Sequence, residues 1–523
     1  MKKEWRLAAV VIALAMLDAG RLAWVCDDAF ISYRYAAHLV DGLGLVYNAG
    51  EQVEGYTNFL WTIFLALGSA LGVPLPEWSI GLGLGCYLLS LIGLAWKPGQ
   101  TALDWFALLA GVSIVHFRIF ATSGLETMMM VACVVWTLRC FEANAMRAVF
   151  GLGVLACLIR PEGAALLGLC AVWSIRNRDA WLPMGLASVA ILAYALWKWW
   201  YFGDLLPNTY YAKVDEPRWS QGFDYLWASF GDHIGGALIF VVPLFCVRHL
   251  RTHNWLSVSL MAVYTVHVVK VGGDFMLGRF ALPIMACGLL IIKPAVDLIP
   301  FSDRIKWLAW IALLWTPLKP SEARLQAIGV GQERDWYPKH WQEEAQRQGE
   351  ILKAHLSDTD IKMVIYGGQA MLGYYSEAPW ILEGMAGLTD RALARMPNRK
   401  QRVAHGAKAT VPYLQDRGVD VYVNFRIQQP MHPLNWIDFG EGVSGSIIRY
   451  HSEHMRILKE RGARFIDFPE YLDDYYHSLE QNEISIEQLK NDWPQFEAYY
   501  FDHTPDDGRR FKFEGLMTDT VKQ

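Results

Sequence analysis

Beyond Cys287 the chain has no cysteine, although it has eight in all. Its C-terminal part therefore holds no disulfide framework, which leaves the compartment open, because a domain of ordinary size can bury enough core without staples. The chain also lacks a CxxC pair, an HExxH helix and a GxxxxGK[ST] loop, so no common metal or nucleotide signature is present. It has no basic excess. The formal net charge is −5, which argues against a nucleic-acid partner, since such proteins carry a basic face. Charged residues of both signs are scarce, at 19% of the chain against about 25% in an average domain. That scarcity is uneven. Residues 7–318 are mostly long apolar stretches, whereas 320–523 are rich in Lys, Arg, Asp and Glu.

The division implies a polytopic α-helical membrane part, 1–319, and a soluble C-terminal domain, 320–523. A spanning helix needs about 20 mainly apolar residues. The candidates are 7–25, 57–73, 78–96, 103–121, 125–141, 148–176, 181–201, 234–247, 255–271, 279–299 and 307–319. After MKKEWR no small-residue cleavage site leads into a soluble region, so the first apolar run reads as an uncleaved span. The run 148–176 is interrupted by Arg160-Pro161-Glu162-Gly163. Proline removes a backbone donor, and each charge at mid-membrane depth costs at least ~2.5 kcal/mol, so two short helices, 148–159 and 162–176, are expected instead. Lys2, Lys3 and Arg6 place the N-terminus in the cytoplasm. If 57–73 dips into the outer interface and returns, then Arg139, Arg147, Arg176, Arg178, Arg248 and Arg251 all face inward, as the charge rule requires. This solution has about eleven spans, with re-entrant or interfacial helices between them. It puts every irregular polar loop, and the C-terminal domain, on the outer side of a bacterial cytoplasmic membrane.

Those loops hold the candidate chemistry. Asp27-Asp28 follows the first span. Paired carboxylates suit acid–base work; the plainer reading is two acids at a helix N-terminus, favoured by its dipole. The following segment reads as an amphipathic helix lying along the membrane, with Phe30, Tyr33, Ala37 and Val40 on one face. Arg34 is the single cation of that loop. Glu54, Tyr56 and Asn58 sit at the mouth of an apolar segment and could bind sugar hydroxyls or a phosphate; Tyr56 could equally be an interfacial anchor. Arg160 lies in a helix break at membrane depth, where an ionisable group is a functional candidate by default; the alternative is a structural pair with Glu126 or Glu162. Lys213 and Arg279, beside Tyr211 and Asp274, could hold an anionic phosphate or form surface ion pairs of little consequence. Asn208 opens the same polar stretch as Lys213. His267 reads as packed within a helix rather than as a metal ligand.

Read together, DDAFISYRYAAHLVDGLGLVYNAGEQVEGYTNFLWT, TSGLET, RPEG, LPNTYYAK and VGGDFMLGR resemble, in the same order, motifs of the GT-C glycosyltransferases, and in particular the terminal arabinofuranosyltransferase family of mycobacterial cell-wall assembly. GLTDRALARMP and HGAKATVPYLQDRGVD resemble that family's outer C-terminal domain, so the likeness covers nearly the whole chain. It implies a GT-C membrane core and a decaprenyl- or undecaprenyl-phosphoryl sugar donor, with D-arabinofuranose the expected sugar. It also implies a cell-envelope glycan or glycoconjugate acceptor. The general base would be an Asp of the first outer loop, here Asp27 or Asp28. Arg34, Glu54, Tyr56, Asn58, Glu126, Arg160, Glu162, Asn208, Tyr211, Lys213, Asp274 and Arg279 are then donor-site candidates, and His405 and Lys408 acceptor-site candidates. A divalent cation near the acidic first loop is possible in such enzymes, and the sequence assigns it no ligands. A flippase of lipid-linked sugars would be expected to show inverted repeats, and none is visible. A structural assembly protein would have no use for acids and cations gathered in an outer cavity. In the C-terminal domain KMVIYGG from Lys362 and VDVYVNF from Val419 read as strands. VAHGAKATVPYLQDRG from Val403 reads as a helix ending at Gly418, giving an α/β domain.

Overall fold

The computed structural model describes residues 3–96, 105–213, 217–231, 252–297, 302, 329–396, 408–423, 433–505 and 507–519. The chain forms two compact units, one of residues 1–46, 52–339 and 400–404, the other of residues 47–51, 340–399 and 405–523.

The first unit is helical. In chain order its described helices are α1 Lys3–Arg21, α2 Ala29–Val40, α3 Phe59–Ala70, α4 Leu75–Leu94, α5 Phe106–Ser113, α6 Val115–Phe120, α7 Thr127–Glu142, α8 Met146–Ile159, α9 Gly163–Ser174, α10 Arg178–Phe202, α11 Asn208–Lys213, α12 Trp219–Gly231, α13 Thr252–Val271 and α14 Leu282–Asp297. The expected spans 234–247 and 307–319 lie outside the described residues. Among the described helices, α4 and α10 are each long and apolar enough to cross a bilayer. At 1.5 Å per residue, α3, α8 and α9 are too short to cross a hydrocarbon core of about 30 Å. Leu182, Leu186, Val189, Leu192, Leu196, Trp199 and Trp200 on α10 are all exposed. So continuous an apolar face has lipid, not water, as its natural solvent. On α12 the exposed Trp219, Phe223 and Trp227 recur every fourth residue. That is one helical stripe, of the aromatic kind enriched at membrane interfaces.

Two features of this unit follow from local chemistry, one of them a helix break. The residue before a proline is pushed out of helical conformation, and Arg160 accordingly ends α8 with φ −152° and ψ 144°. The chain then turns, and Gly163 opens α9 against the end of α8. A β-carbon there would lie 2.2 Å from the Ala156 carbonyl carbon, so only glycine fits. The second case corrects an expectation. Helix α2 does not lie half-exposed on a surface, for Ala29 through Ala36 are buried on every side. Tyr33 hydrogen-bonds Ser79 at 2.6 Å, and the Tyr35 hydroxyl donates to the Val53 carbonyl at 2.6 Å. Of the face read from the spacing, Phe30 and Tyr33 are buried, Ala37 is half-buried and Val40 is exposed, so burial follows position along the helix rather than one face, with these hydroxyls and Ser32 allowing the first two turns to be enclosed.

The second unit carries a six-stranded mixed sheet of order β2-β1-β3-β5-β4-β6. The strands are β1 Lys362–Ile365, β2 Trp380–Glu383, β3 Val421–Val423, β4 Trp436–Gly440, β5 Val443–Ile447 and β6 Arg464–Phe465. β1 lies parallel to β2 and β3, and the other pairings are antiparallel. Its core includes Val364, Leu382, Leu393, Leu414, Val419 and Ile448. Asn48 covers the outer edge of β2, donating to the Ile381 carbonyl at 3.0 Å and accepting its N–H at 2.9 Å, one way of blunting an exposed strand edge. The helix expected from Val403 to Gly418 is shorter, Val411–Asp416, because Thr410 stands before it in extended conformation and Pro412 occupies its first turn. Residues 403–407 lie outside the described ones.

Asp420 is fully buried in this unit, and its carboxylate accepts from the Lys362 N–H at 2.9 Å and pairs with Arg449 at 3.0 Å. It also meets His454, which reaches Asp360 at 2.9 Å on its other side. Burial disfavours charge on His454, but Asp420 and Asp360 outweigh it and raise its pKa above the ordinary histidine value. A histidine raised on folding stabilises fully below its unfolded pKa of about 6.5, and the contribution is lost as pH rises through the folded value. The thermal midpoint of the full chain is therefore expected to fall from pH 6 to pH 8.5 more steeply than that of His454→Asn. Parallel slopes for the two proteins would contradict this assignment.

Candidate active site

The loop Gly272–Arg279 is built on three glycines with positive φ, Gly272, Gly273 and Gly278. A side chain at Gly273 would strike the Tyr225 ring, and one at Gly278 the His116 ring. Tyr225, on the buried face of α12, fastens the loop at both ends: its hydroxyl donates to the Met276 carbonyl and accepts the Phe280 N–H, each at 3.1 Å. Asp274 accepts its neighbour's N–H at 2.9 Å and pairs with Arg279 at 2.5 Å. Gly331 pairs with this loop through Leu277 and Phe275, at 2.9 and 3.0 Å, which carries Glu333 to the same place. Arg334 then donates to the Leu22 carbonyl at 3.1 Å, just before the acidic turn. Asp27, 3% exposed, is enclosed at the start of α2 and has polar partners. Asp28 is half-buried and caps α2 without a side-chain hydrogen bond to it. Asp27, Asp28, Asp274 and Arg279 all lie within electrostatic reach of Glu333.

A second set adjoins it. Ser32 donates to Asn58 at 3.2 Å, Asn58 to Glu126 at 2.9 Å, and Arg160 bridges Glu126 at 2.5 Å and Glu162 at 2.9 Å. A cleft of about 400 Å³, counted to its open mouth, is lined here by Arg160, Glu162, Tyr264, His267, Arg279 and Phe280 among others. The guanidinium groups of Arg160 and Arg279 both lie over one ring, Phe280, at 5.0 and 5.1 Å from its centre. His267 is not packed away as its helical context suggested. Its side chain is 41% exposed and 3.8 Å from Glu162, because α13 turns Tyr264 and His267, three residues apart, toward the same wall.

The third set surrounds Glu54. It pairs with Lys198 of α10 at 2.7 Å, and its backbone carbonyl accepts the Asn208 N–H at 2.8 Å. Burial pushes the Glu54 carboxyl up to about 7 in spite of Lys198. The ion pair and the raised value pull in opposite directions; with both groups nearly enclosed, desolvation is the stronger cause. Tyr56 is buried beside it, its ring edge-on to Tyr35 at 4.7 Å and its hydroxyl without a partner among the described residues. Tyr211 donates to Asp204 at 3.0 Å.

The structure thus brings Asp27, Asp28, Asp274 and Arg279 together, joins Asn58, Glu126, Arg160 and Glu162 in one network, and sets Glu54 and Tyr56 by Asn208. Arg34 is buried in α2 with polar partners. Lys213 ends α11 with its side chain outside the described ones, as is His405. Lys408 belongs to the second unit and stands 5.6 Å over the Tyr366 ring. Glu333, Lys198 and Ser32 were not singled out from the sequence, and His267 was read as packed within a helix. Lys198 had a usable signal, as the one cation of the apolar run 181–201; Glu333 had none. Among the described residues no group of three His, Cys, Asp or Glu side chains is placed to hold a metal ion.

The helical fold of the chain is that of a solved membrane protein. ArnT from Cupriavidus metallidurans in the apo state superposes with a TM-score of 0.51 at 15% identity, covering 73% of this chain and 86% of that one. In sequence the chain is similar to the terminal β-(1→2)-arabinofuranosyltransferase of Mycobacterium tuberculosis, 26% identical over 409 residues, 64% of this chain and 65% of that protein. The protein of the same name from Corynebacterium glutamicum is 28% identical over 370 residues, 58% of this chain and 53% of that protein. The chain therefore covers less than two thirds of either relative's length. No protein-family model matches it.

Proposed function

We propose that this chain is a membrane glycosyltransferase that moves a sugar, D-arabinofuranose, from a polyprenyl-phosphate carrier to a cell-envelope glycan on the outer face of the cytoplasmic membrane. The observation that carries the reading is the convergence of loops. The acidic turn Asp27-Asp28, the Glu54–Asn58 stretch, the turn at Glu126, the break at Arg160 and the loop 272–279 are far apart in sequence, yet hydrogen bonds, ion pairs and shared fields join them. A transport path would distribute its polar groups through the bilayer, whereas these gather in loops between helices.

The roles follow from the chemistry. Asp28 takes the proton from an acceptor hydroxyl as its oxygen bonds to the anomeric carbon. The bond from that carbon to the phosphate oxygen breaks, and its electron pair leaves with the polyprenyl phosphate. Negative charge grows on that leaving group, and a fixed cation beside it lowers the barrier more than mobile water can. Arg279 and Arg160, both set over the Phe280 ring, serve that purpose. Glu54, Tyr56, Asn58 and Asn208 hold sugar hydroxyls, and the exposed apolar surface leaves the carrier's tail in lipid. The decisive experiment gives purified protein a synthetic polyprenyl-phosphoryl arabinofuranose and an arabinan acceptor, with other polyprenyl-phosphoryl sugars in parallel. Transfer of arabinofuranose supports the proposal. Transfer only of another sugar changes the donor, and movement across vesicles without transfer ends the enzyme reading.

A further inference from the structure

The mechanism above leaves one enclosed group without work. Glu333 is 5% exposed, and its Oε2 has no hydrogen-bond partner among the described residues. A buried carboxyl oxygen left unpaired is costly, and such groups in a native fold call for an explanation. Its position is built from several sides: Gly331, two residues before it, is tied to the loop 272–279, and Arg334, one after it, to the Leu22 carbonyl. The groups around it are Cys26, Asp27 and Asp28 from the acidic turn, Asp274 and Arg279 from the glycine loop, and Tyr337 from its own segment. Three aspartates and the Arg279 guanidinium thus act on Glu333.

We propose that Glu333 is a further residue of the transfer site, its free Oε2 meeting an oxygen of the bound sugar substrate beside the Asp27-Asp28 turn. This rests on the glycosyltransferase reading. Burial first, then Asp28 and Asp274, push the Glu333 carboxyl up to about 8. At neutral pH it therefore carries a proton, which it keeps through the transfer, while Asp28 accepts the one released by the acceptor. As a carboxylic acid it donates a hydrogen bond that a carboxylate cannot.

The test is a set of pH profiles of kcat/KM for the full-length wild type, Glu333→Gln and Glu333→Ala, with polyprenyl-phosphoryl arabinofuranose as donor. Glutamine keeps a donor at nearly the same place. Wild type is expected to slow above about pH 8, and Glu333→Gln to stay within about threefold of it at pH 7 and to lack that fall. Glu333→Ala is expected to lose roughly tenfold to a hundredfold, the range for a buried polar contact removed. Infrared spectra of the wild type should show a carboxylic-acid C=O band at neutral pH that Glu333→Gln lacks. A glutamine variant as slow as the alanine one, an alkaline limb unchanged in it, or no difference in that band would each overturn the assignment. Failure of the wild type to transfer any such sugar sinks the enzyme reading with it, whereas transfer by wild type together with one of those results sinks the role of Glu333 alone.

Discussion

Asp28→Asn is expected to lower turnover roughly 10²- to 10⁴-fold, the span over which a positioned general base contributes, with little change in thermal stability. The two halves of this expectation have separate causes. Asparagine matches aspartate in shape and caps helices about as well, and Asp28 makes no side-chain hydrogen bond to α2 that the change could break. What is lost is a carboxylate able to accept a proton. Asp28 is half-buried, so an acceptor hydroxyl can reach it. Asp27, 3% exposed, has little room for a substrate. Asp27→Asn is therefore expected to act chiefly on stability or yield. Initial rates with the synthetic donor, beside unfolding curves in the same detergent, separate the two. An Asp28→Asn enzyme turning over within threefold of wild type would remove the base from the mechanism, and a selective loss in Asp27→Asn would move it one residue back.

How much of this was legible beforehand depended on the kind of signal. The helix break at Arg160-Pro161 could be read because proline acts locally, on its own N–H and on the residue before it. The strands at Lys362 and Val421 could be read because short β-branched and aromatic runs bounded by glycine are a local pattern too. Glu333 could not. It is an acid in a charged segment, and it matters only because Gly331 joins a loop more than fifty residues earlier, a pairing without periodicity or motif. Burial of α2 failed for a related reason. Spacing shows which face is most apolar, but whether Ser32, Arg34 and Tyr35 are also enclosed depends on the partners the fold brings to them. His267 was misjudged because the wall of a cleft and the core of a helix pair look alike in one dimension. The motifs at Asp27, Arg160 and Asp274 were visible as odd polar groups beside apolar runs, yet only three dimensions show Arg160 spanning two acids and Arg279 lying between the two clusters.

That bridge makes Arg160→Ala the most damaging single change expected for the fold. The side chains of Arg160, Glu126 and Glu162 are 14%, 4% and 16% exposed. Removing the guanidinium leaves two enclosed carboxylates facing each other, and breaking a buried pair by deleting one partner costs about 3–5 kcal/mol. That is a large share of a typical folding free energy of about 5–15 kcal/mol, so the variant is expected to lose most of its yield and to unfold well below wild type. Removing the stranded charge as well should reverse much of the loss: Arg160→Met with Glu162→Gln is expected to fold better than Arg160→Ala, and to remain poor in transfer. A second comparison separates the structural bridge from a role toward the donor's phosphate. In wild type both neighbouring carboxylates compete for the guanidinium. Glu162→Gln withdraws one competitor and leaves Arg160 held by Glu126, so donor KM is expected to fall severalfold if the phosphate meets this cation. A donor KM unchanged in Glu162→Gln and raised in Arg279→Ala would confine phosphate binding to Arg279 and leave Arg160 as a purely structural bridge.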